Sequence, residues 1–290
     1  MFRKVLVPLT GRLPDRRALS AAFLVADRFR GHIDGICVMP NAEFHSPVKS
    51  TAIPASLSRR LVGIAREGQA RTIDAARQTF NDYGARFGAV MAQEAGAADP
   101  DGLTAWWSEA TGSLPEIVAQ EARLADLVVF AQDPDLTDAM SNAIEAAVFG
   151  SGRPLMLAPA TEPVSLGTAV AIAWDGGPTA ARAVTAALPF LREAGTVAIL
   201  SADKPGAVPT ADPHRLVAYL AWHGITAKPH AVSADGRSLS TALTEAAVDL
   251  GCDLLVMGAY GHSRFREMVL GGVTQDILRH PPALSILMAH

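Results

Sequence analysis

Short apolar runs alternate with longer amphipathic stretches along the whole chain. In the second half, the apolar runs lie near residues 168–174, 196–201, 227–233, 253–257 and 284–289. Helical patterns lie between them, at residues 178–192, about 212–223, 238–250 and after Gly272. The runs are nearly continuous in aliphatic residues, which is typical of strands that helices cover on both faces. Because parallel strands need crossover connections, this alternation predicts a five-stranded parallel sheet.

The first half repeats the pattern of the second. Residues 125–130 (ADLVVF) closely match residues 252–257 (CDLLVM), and an amphipathic helical segment precedes each. Each half also begins and ends with a short apolar run. We therefore predict two doubly wound, Rossmann-like α/β domains with five-stranded parallel sheets in tandem, at residues 1–160 and 166–290.

One insertion distinguishes the first half. A loop-like stretch at residues 40–54 and a long helical pattern at about 56–83 lie between its second and third strands. The loop is either a solvent-exposed connector or a lid or partner contact, and we assign it no role.

A glycine-spaced loop carries the candidate binding chemistry. The strand at 253–257 opens directly onto Gly258, and Gly261, Gly271 and Gly272 follow before Thr274. Glycine lets backbone N–H groups approach an anion without a Cβ in the way, and the helix that follows directs its positive end to the same place. The pattern predicts a phosphate-binding loop. It has neither the spacing of the dinucleotide fingerprint nor that of the P-loop.

Asp175 lies at the same edge of the predicted sheet. It follows the first strand of the second half, and ligands of open parallel sheets bind beyond the carboxyl ends of the strands. Two interpretations remain open for its carboxylate. It accepts hydrogen bonds from a nucleotide's adenosine, or it is a helix N-terminal cap or turn residue before Pro178.

Composition and charge narrow the class of protein. The chain has 290 residues, 49% of them hydrophobic, and a formal net charge of −4, which gives no electrostatic case for nucleic acid. The apolar run at the N-terminus is too short for a signal peptide or a membrane span, so we expect a cytoplasmic protein with no membrane contact. Cys37 and Cys252 are isolated and are predicted to be core thiols, without zinc or a disulfide.

The glycine spacing resembles the motif of the universal stress protein (UspA) family: Gly, two residues, Gly, nine residues, Gly, then Ser or Thr. Gly258, Gly261 and Gly271 match it. The resemblance covers the second half and, in weaker form, the first. It implies an adenine-nucleotide-hydrolase-like fold, a tandem arrangement of two such domains, and dimerisation through the last strand in single-domain members. It also implies that Asp175 contacts the adenosine of ATP or a related nucleotide, bound with Mg²⁺, and that the three glycines contact its phosphates.

The residue after the third glycine departs from the family pattern. Gly272 stands where a Ser or Thr hydroxyl would meet a phosphate oxygen. Losing a hydrogen bond to a charged group weakens binding by about 1.5 to 3 kcal/mol. Thr274 matches a second hydroxyl position of the family and compensates if its side chain turns toward the loop.

The first half departs much further from the motif. Thr10 replaces the aspartate after the first strand, and the loop after residue 130 carries Asp133, Asp135 and Asp138 but no glycine. Three carboxylates would repel a phosphate, so we predict no nucleotide in this half. They are either solvated or begin the helix that runs on to Phe149, and, as a weaker alternative, they hold a cation.

The function predicted from these features is that of a stress-response protein without enzymatic activity. It would bind ATP or a related adenine nucleotide in its C-terminal domain and act through protein partners that the sequence does not identify. Gly272 and the acidic loop support a nucleotide-independent interaction scaffold instead, and the pairing of Asp175 with a phosphate loop leaves a weak ATP hydrolase as a third alternative. The repeat allows a monomer with an internal pseudo-twofold axis or a homodimer.

Overall fold

The computed structural model describes residues 1–41, 55–92, 102–131, 138–202, 211–260, 272–280 and 282–290. Residues 42–54 of the predicted loop lie outside this part of the chain. The strands are β1 (Lys4–Leu9), β2 (His32–Met39), β3 (Val90–Met91), β4 (Thr104–Thr111), β5 (Leu127–Ala131), β6 (Leu155–Ala158), β7 (Ala169–Ala173), β8 (Thr196–Ala202), β9 (Lys228–Val232), β10 (Leu254–Gly258) and β11 (Ser285–Ala289). The helices are α1 (Asp15–Phe29), α2 (Ala55–Phe87), α3 (Leu114–Ala122), α4 (Asp138–Gly150), α5 (Pro178–Glu193), α6 (Pro213–Ala221), α7 (Leu239–Asp249) and α8 (Gly272–Arg279).

The strands of the described residues form one sheet, in the order β3-β4-β2-β1-β5-β6-β11-β10-β7-β8-β9. Within the first half (β1–β6) and the second half (β7–β11), neighbouring strands are parallel. Counted within its half and without the short edge strand β3, each set has the order 3-2-1-4-5, as doubly wound folds do. The predicted tandem α/β architecture is confirmed, and the two sheets prove to be continuous.

The last strands of the two halves make this continuity. β6 and β11 pair antiparallel, with Met156 opposite Leu287 and Leu157 opposite Ile286. Outward from β6 and from β11, the strands of the two halves follow in the same order, and β6 and β11 run antiparallel. The halves are therefore related by a pseudo-twofold axis between these strands. Each of the two last strands therefore has a neighbour on both sides within the chain.

An aspartate that recurs in both halves stabilises the amino-terminal end of their parallel strands. Asp126 Oδ2 accepts hydrogen bonds from the backbone N–H groups of Arg3 (2.8 Å) and Lys4 (3.0 Å). Asp253 accepts from the N–H of Thr168 (3.0 Å) and from its hydroxyl (2.6 Å). In both halves, the aspartate before the fourth strand holds the start of the first strand, which gives the sequence repeat a structural cause.

Two hydrophobic cores cover the sheet, and both extend across the two halves. Helices α1, α2, α5 and α6 contribute to one core and α3, α4, α7 and α8 to the other. Phe2 and Phe29 of the first half pack on Phe190 of the second, with ring centroids 5.2 and 5.1 Å away. Cys37 and Cys252 are buried free thiols, as predicted, and burial raises their pKa to about 12 and about 11.

The segment between the halves is held along α1. Side chains of α1 donate hydrogen bonds to carbonyl oxygens of the connecting segment: Arg17 to Ala160 (3.0 Å), Ser20 to Pro163 (3.0 Å) and Arg28 to Leu166 (2.8 Å). The connection is thereby packed against the first half. Among the described residues, no helix has the length and apolar character that a membrane span requires.

Candidate functional site

The strand order places two loops of the second half beside each other. β7 and β10 are paired neighbours, with β8 beyond one and β11 beyond the other, so the order reverses between them. Their carboxyl ends lead to Asp175 and Gly258 respectively. The structure thus brings these two predicted site residues to one edge, at the switch point where ligands of such sheets bind.

Asp175 stabilises a tight turn at this edge. Its Oδ1 accepts a hydrogen bond from the N–H of Gly177 at 2.8 Å. Gly176, between them, has a φ of +73°, a left-handed conformation that glycine adopts without strain. Gly177 is the N-cap of α5 and Pro178 its first residue. Asp175 therefore holds the turn before the helix and is not the N-cap itself, and its side chain is exposed at the edge.

Gly258 allows α5 to approach the end of β10. A Cβ on Gly258 would lie 2.5 Å from Thr179 Oγ1 and 2.6 Å from the backbone N of Ala180. Both distances are far below contact, so only glycine fits here without displacement of the helix. The sequence suggested phosphate contact as the reason for this glycine. Helix packing is a second reason, and it brings the N-terminal turn of α5 to the switch point.

Thr274 turns toward the chain that leads into the glycine loop. It lies in α8, is 3% exposed, and its Oγ1 accepts a hydrogen bond from the N–H of Tyr260 at 3.3 Å. Gly272 begins the same helix. Gly261 and Gly271 lie outside the described residues, so their predicted contacts with phosphate stay predictions.

The corresponding edge of the first half is closed by a buried carboxylate. Asp15, the first residue of α1, accepts hydrogen bonds from the N–H (2.9 Å) and hydroxyl (2.8 Å) of Thr10 and from the N–H of Gly11 (2.7 Å). Asp15 is 3% exposed, and burial raises its pKa although these hydrogen bonds lower it. Sequence inspection identified Thr10 but missed Asp15, whose signal was its position five residues after Thr10, in the first turn of α1.

The acidic loop of the first half is only partly described. Asp133 and Asp135 lie outside the described residues, while Asp138 begins α4, where we expected an acidic residue to favour the helix start. In the described parts of the chain, no group of three or more His, Cys, Asp or Glu side chains is placed to hold a metal ion.

Residues 168–288 match the model of the universal stress protein family. The second half of this chain belongs to the universal stress protein family. The matched universal stress protein domain contains Asp175, Gly258 and Thr274, whose positions are given above. The match extends from β7, the first strand of the second half along the chain, into β11, the last. No match was found among curated proteins.

Solved structures resemble the chain over both halves. A universal stress protein from Archaeoglobus fulgidus is similar over 99% of this chain and 95% of its own, with a TM-score of 0.68 and 15% identity. A functionally unknown protein from Pseudomonas aeruginosa covers 99% and 92%, with a TM-score of 0.54 and 14% identity. At these identities, the likeness concerns the fold. A shorter universal stress protein in complex with cAMP covers 55% of this chain and 99% of its own, with a TM-score of 0.36 and 16% identity.

Proposed function

We propose that the universal stress protein domain binds ATP or a related adenine nucleotide at the edge between β7 and β10. The observation that carries the proposal is the convergence of Asp175, the N-terminal turn of α5 and the end of β10 at the switch point. The N–H groups of a first helical turn have no partner within the helix, so they favour an anion. In this proposal, binding alters the association with protein partners, and no reaction is catalysed.

The residues at this edge suit the parts of a nucleotide. Asp175 supplies an exposed carboxylate for ribose or adenine donors, and Gly272 supplies a backbone N–H at the start of α8. Thr274 supplies a hydroxyl that already contacts the segment before the loop. Mg²⁺ would accompany the phosphates and screen their charge. We propose the same roles for Gly261 and Gly271 that the family resemblance implies.

Restoring the missing hydroxyl gives a sharp test. Gly272→Ser returns the family's hydroxyl, and we expect it to tighten ATP binding by about tenfold to a hundredfold in calorimetric titrations with Mg²⁺. Asp175→Ala should weaken binding, whereas Asp249→Ala, which removes an exposed carboxylate at the end of α7, should not change it. ADP, AMP and cAMP, the last because the shorter universal stress protein binds it, complete the ligand panel. No heat from either the wild type or Gly272→Ser at millimolar nucleotide would overturn the proposal.

The nucleotide-independent scaffold has support in the first half. There, Asp15 occupies the N–H groups of Thr10 and Gly11 in the loop after β1, so these donors are not available to a phosphate. Assay of freshly purified protein for bound nucleotide separates the two functions, because a scaffold would carry none. We expect the protein to release phosphate from ATP no faster than buffer alone does. A faster rate would favour the alternative of a weak ATP hydrolase.

A further inference from the structure

One side chain of the first half lies against the entrance to the glycine loop of the second. Phe149, in the last turn of α4, has its ring centroid 4.7 Å from that of Tyr260, with the planes inclined by 41°. It lies at the same distance from His290, edge to face at 72°. The cause is the antiparallel pairing of β6 with β11. Because α4 leads into β6, its end comes beside the carboxyl ends of β10 and β11.

Tyr260 is held in an unusual conformation at this point. It lies two residues after Gly258, and its φ of 55° is in the left-handed region, where a bulky side chain is rare. Its side chain is 8% exposed, and its buried hydroxyl has no hydrogen-bond partner among the described residues. Its N–H donates to Thr274 Oγ1. Such a conformation persists only where the surroundings enforce it.

The residue before Tyr260 is held as well. The N–H of Ala259 donates to the carbonyl of Ala289 at 2.8 Å. The carbonyl of Ala259 accepts from His290 at 3.1 Å, and since a carbonyl only accepts, Nδ1 of this imidazole carries the proton. The Phe149 ring packs on both Tyr260 and His290. The ring therefore contacts Tyr260, which belongs to the segment that enters the loop, and His290, which is hydrogen-bonded to that segment.

Among the described residues, the end of α8 makes no equivalent ring contact with the first half. α8, the counterpart of α4, has Arg279 in its last turn and His280 directly after it, and neither has a described ring contact with the first half. The first half, whose own edge is closed by Asp15, therefore contributes a ring to the loop entrance of the second half.

We propose that Phe149 is a positioning residue for the nucleotide site: from the first half, it holds Tyr260 in the conformation that starts the glycine loop. The proposal rests on nucleotide binding by the second half. It gives the first half a role in a site to which it contributes no binding residue. By linkage, nucleotide binding then strengthens the packing between the halves as much as that packing strengthens nucleotide binding.

Nucleotide affinity provides the first measurement. Phe149→Ala should weaken ATP binding by about two- to tenfold, the range that one aromatic pair supplies. Phe149→Tyr keeps the ring and should bind as the wild type does. Leu124→Ala is the matched control, because Leu124 is also an exposed apolar residue of the first half (71%, against 52% for Phe149) but does not contact the second half in any described interaction.

Amide hydrogen exchange provides a second measurement that needs no nucleotide. The chain has three tyrosines, so ¹⁵N-tyrosine labelling gives three signals, and Tyr260→Phe assigns the relevant one. In Phe149→Ala, the Tyr260 amide should exchange about two- to tenfold faster. Tyr83 and Tyr219, in α2 and α6, should exchange as before, because they report on global opening.

The outcomes separate the two proposals. Absence of ATP binding by the wild type contradicts the nucleotide proposal, and the exchange of Tyr260 then decides alone whether Phe149 positions it. Unchanged exchange in Phe149→Ala, or faster exchange of all three tyrosines, overturns the positioning role. Rescue by Phe149→Tyr together with faster exchange confined to Tyr260 in Phe149→Ala supports it.

Discussion

The two halves share a fold but treat the same edge of the sheet differently. After the first strand of each half comes a glycine with the same left-handed φ of 73°, Gly11 in one and Gly176 in the other. In the first half, the loop folds over the buried carboxylate of Asp15. In the second, Asp175 stays exposed and holds the turn to Gly177. The first half therefore differs in two ways: it does not have the motif residues, and its own Asp15 side chain accepts hydrogen bonds from the N–H groups of that loop.

A second difference lies at the end of the fourth strand. β5 ends at Ala131, whereas β10 ends at Gly258. α5 begins three residues after Asp175, while α1 begins five residues after Thr10. The glycine and the shorter turn together let α5 approach its strand closely. In the second half, the helix N-terminus therefore reaches the switch point because Gly258 has no side chain and the turn before α5 is short.

The largest effect is expected when this absent side chain is restored. Gly258→Ala should lower the free energy of unfolding by about 3 kcal/mol, the upper end of overpacking effects, because the new Cβ meets the backbone of Ala180 as well as Thr179. Urea denaturation measures it. The reciprocal Ala131→Gly should cost only about 0.5 to 1 kcal/mol through chain entropy. Equal losses in the two variants would show that α5 is not packed more closely than its counterpart.

A smaller effect is expected at the closed edge. Asp15→Asn keeps the shape but points an amide NH₂ at N–H donors, so we expect a loss of about 2 kcal/mol. Asp175→Asn, at the exposed edge, should change stability by less than about 0.5 kcal/mol. Thermal or urea unfolding of both variants measures the contrast, and a comparable loss in Asp175→Asn would remove it.

The pH dependence of the Asp15 variant gives an independent check. Burial raises the pKa of Asp15 above its ordinary value of 3.8, so between these two values the folded state binds more protons than the unfolded state. Its contribution to stability is complete below the ordinary value and is lost as pH rises through the folded-state pKa. The deficit of Asp15→Asn should therefore grow as pH falls from about 7 to about 4. A deficit that shrinks in acid would mean that the hydrogen bonds from Thr10 and Gly11 outweigh burial.

The sequence predicted the elements of the second half well because their pattern is local. The helix expected at 178–192 is observed at Pro178–Glu193, and the strand expected at 284–289 at Ser285–Ala289. Apolar periodicity depends only on near neighbours, so it survives without knowledge of the fold. The continuous sheet was not predicted, because the pairing of β6 with β11 joins segments about 130 residues apart.

The sequence predicted where the candidate site lies, but not why its residues are needed there. Asp175 and Gly258 were expected at one edge, and the strand order puts them there. The sequence could not show that Gly258 also meets α5, since a glycine required by a helix and one required by a phosphate look alike. Asp15 was missed for a related reason, because its burial follows from the path of the loop over it. Gly261 and Gly271 stay predictions.

The smallest effect tests the contact that joins the open edge to α8. Thr274 lies in α8, whereas the corresponding stretch of α4 has the apolar Ala143 and Ile144, so only the second half has a hydroxyl here. Thr274→Val removes the acceptor for the Tyr260 N–H and should lower the free energy of unfolding by about 1 kcal/mol, whereas Thr274→Ser should retain it. Unfolding measurements combined with exchange of the Tyr260 amide test this. If Thr274→Val leaves both unchanged, Thr274 is not what holds the entrance of the loop in the free protein, and the hydrogen bonds of Ala259 and the aromatic contact with Phe149 hold it instead.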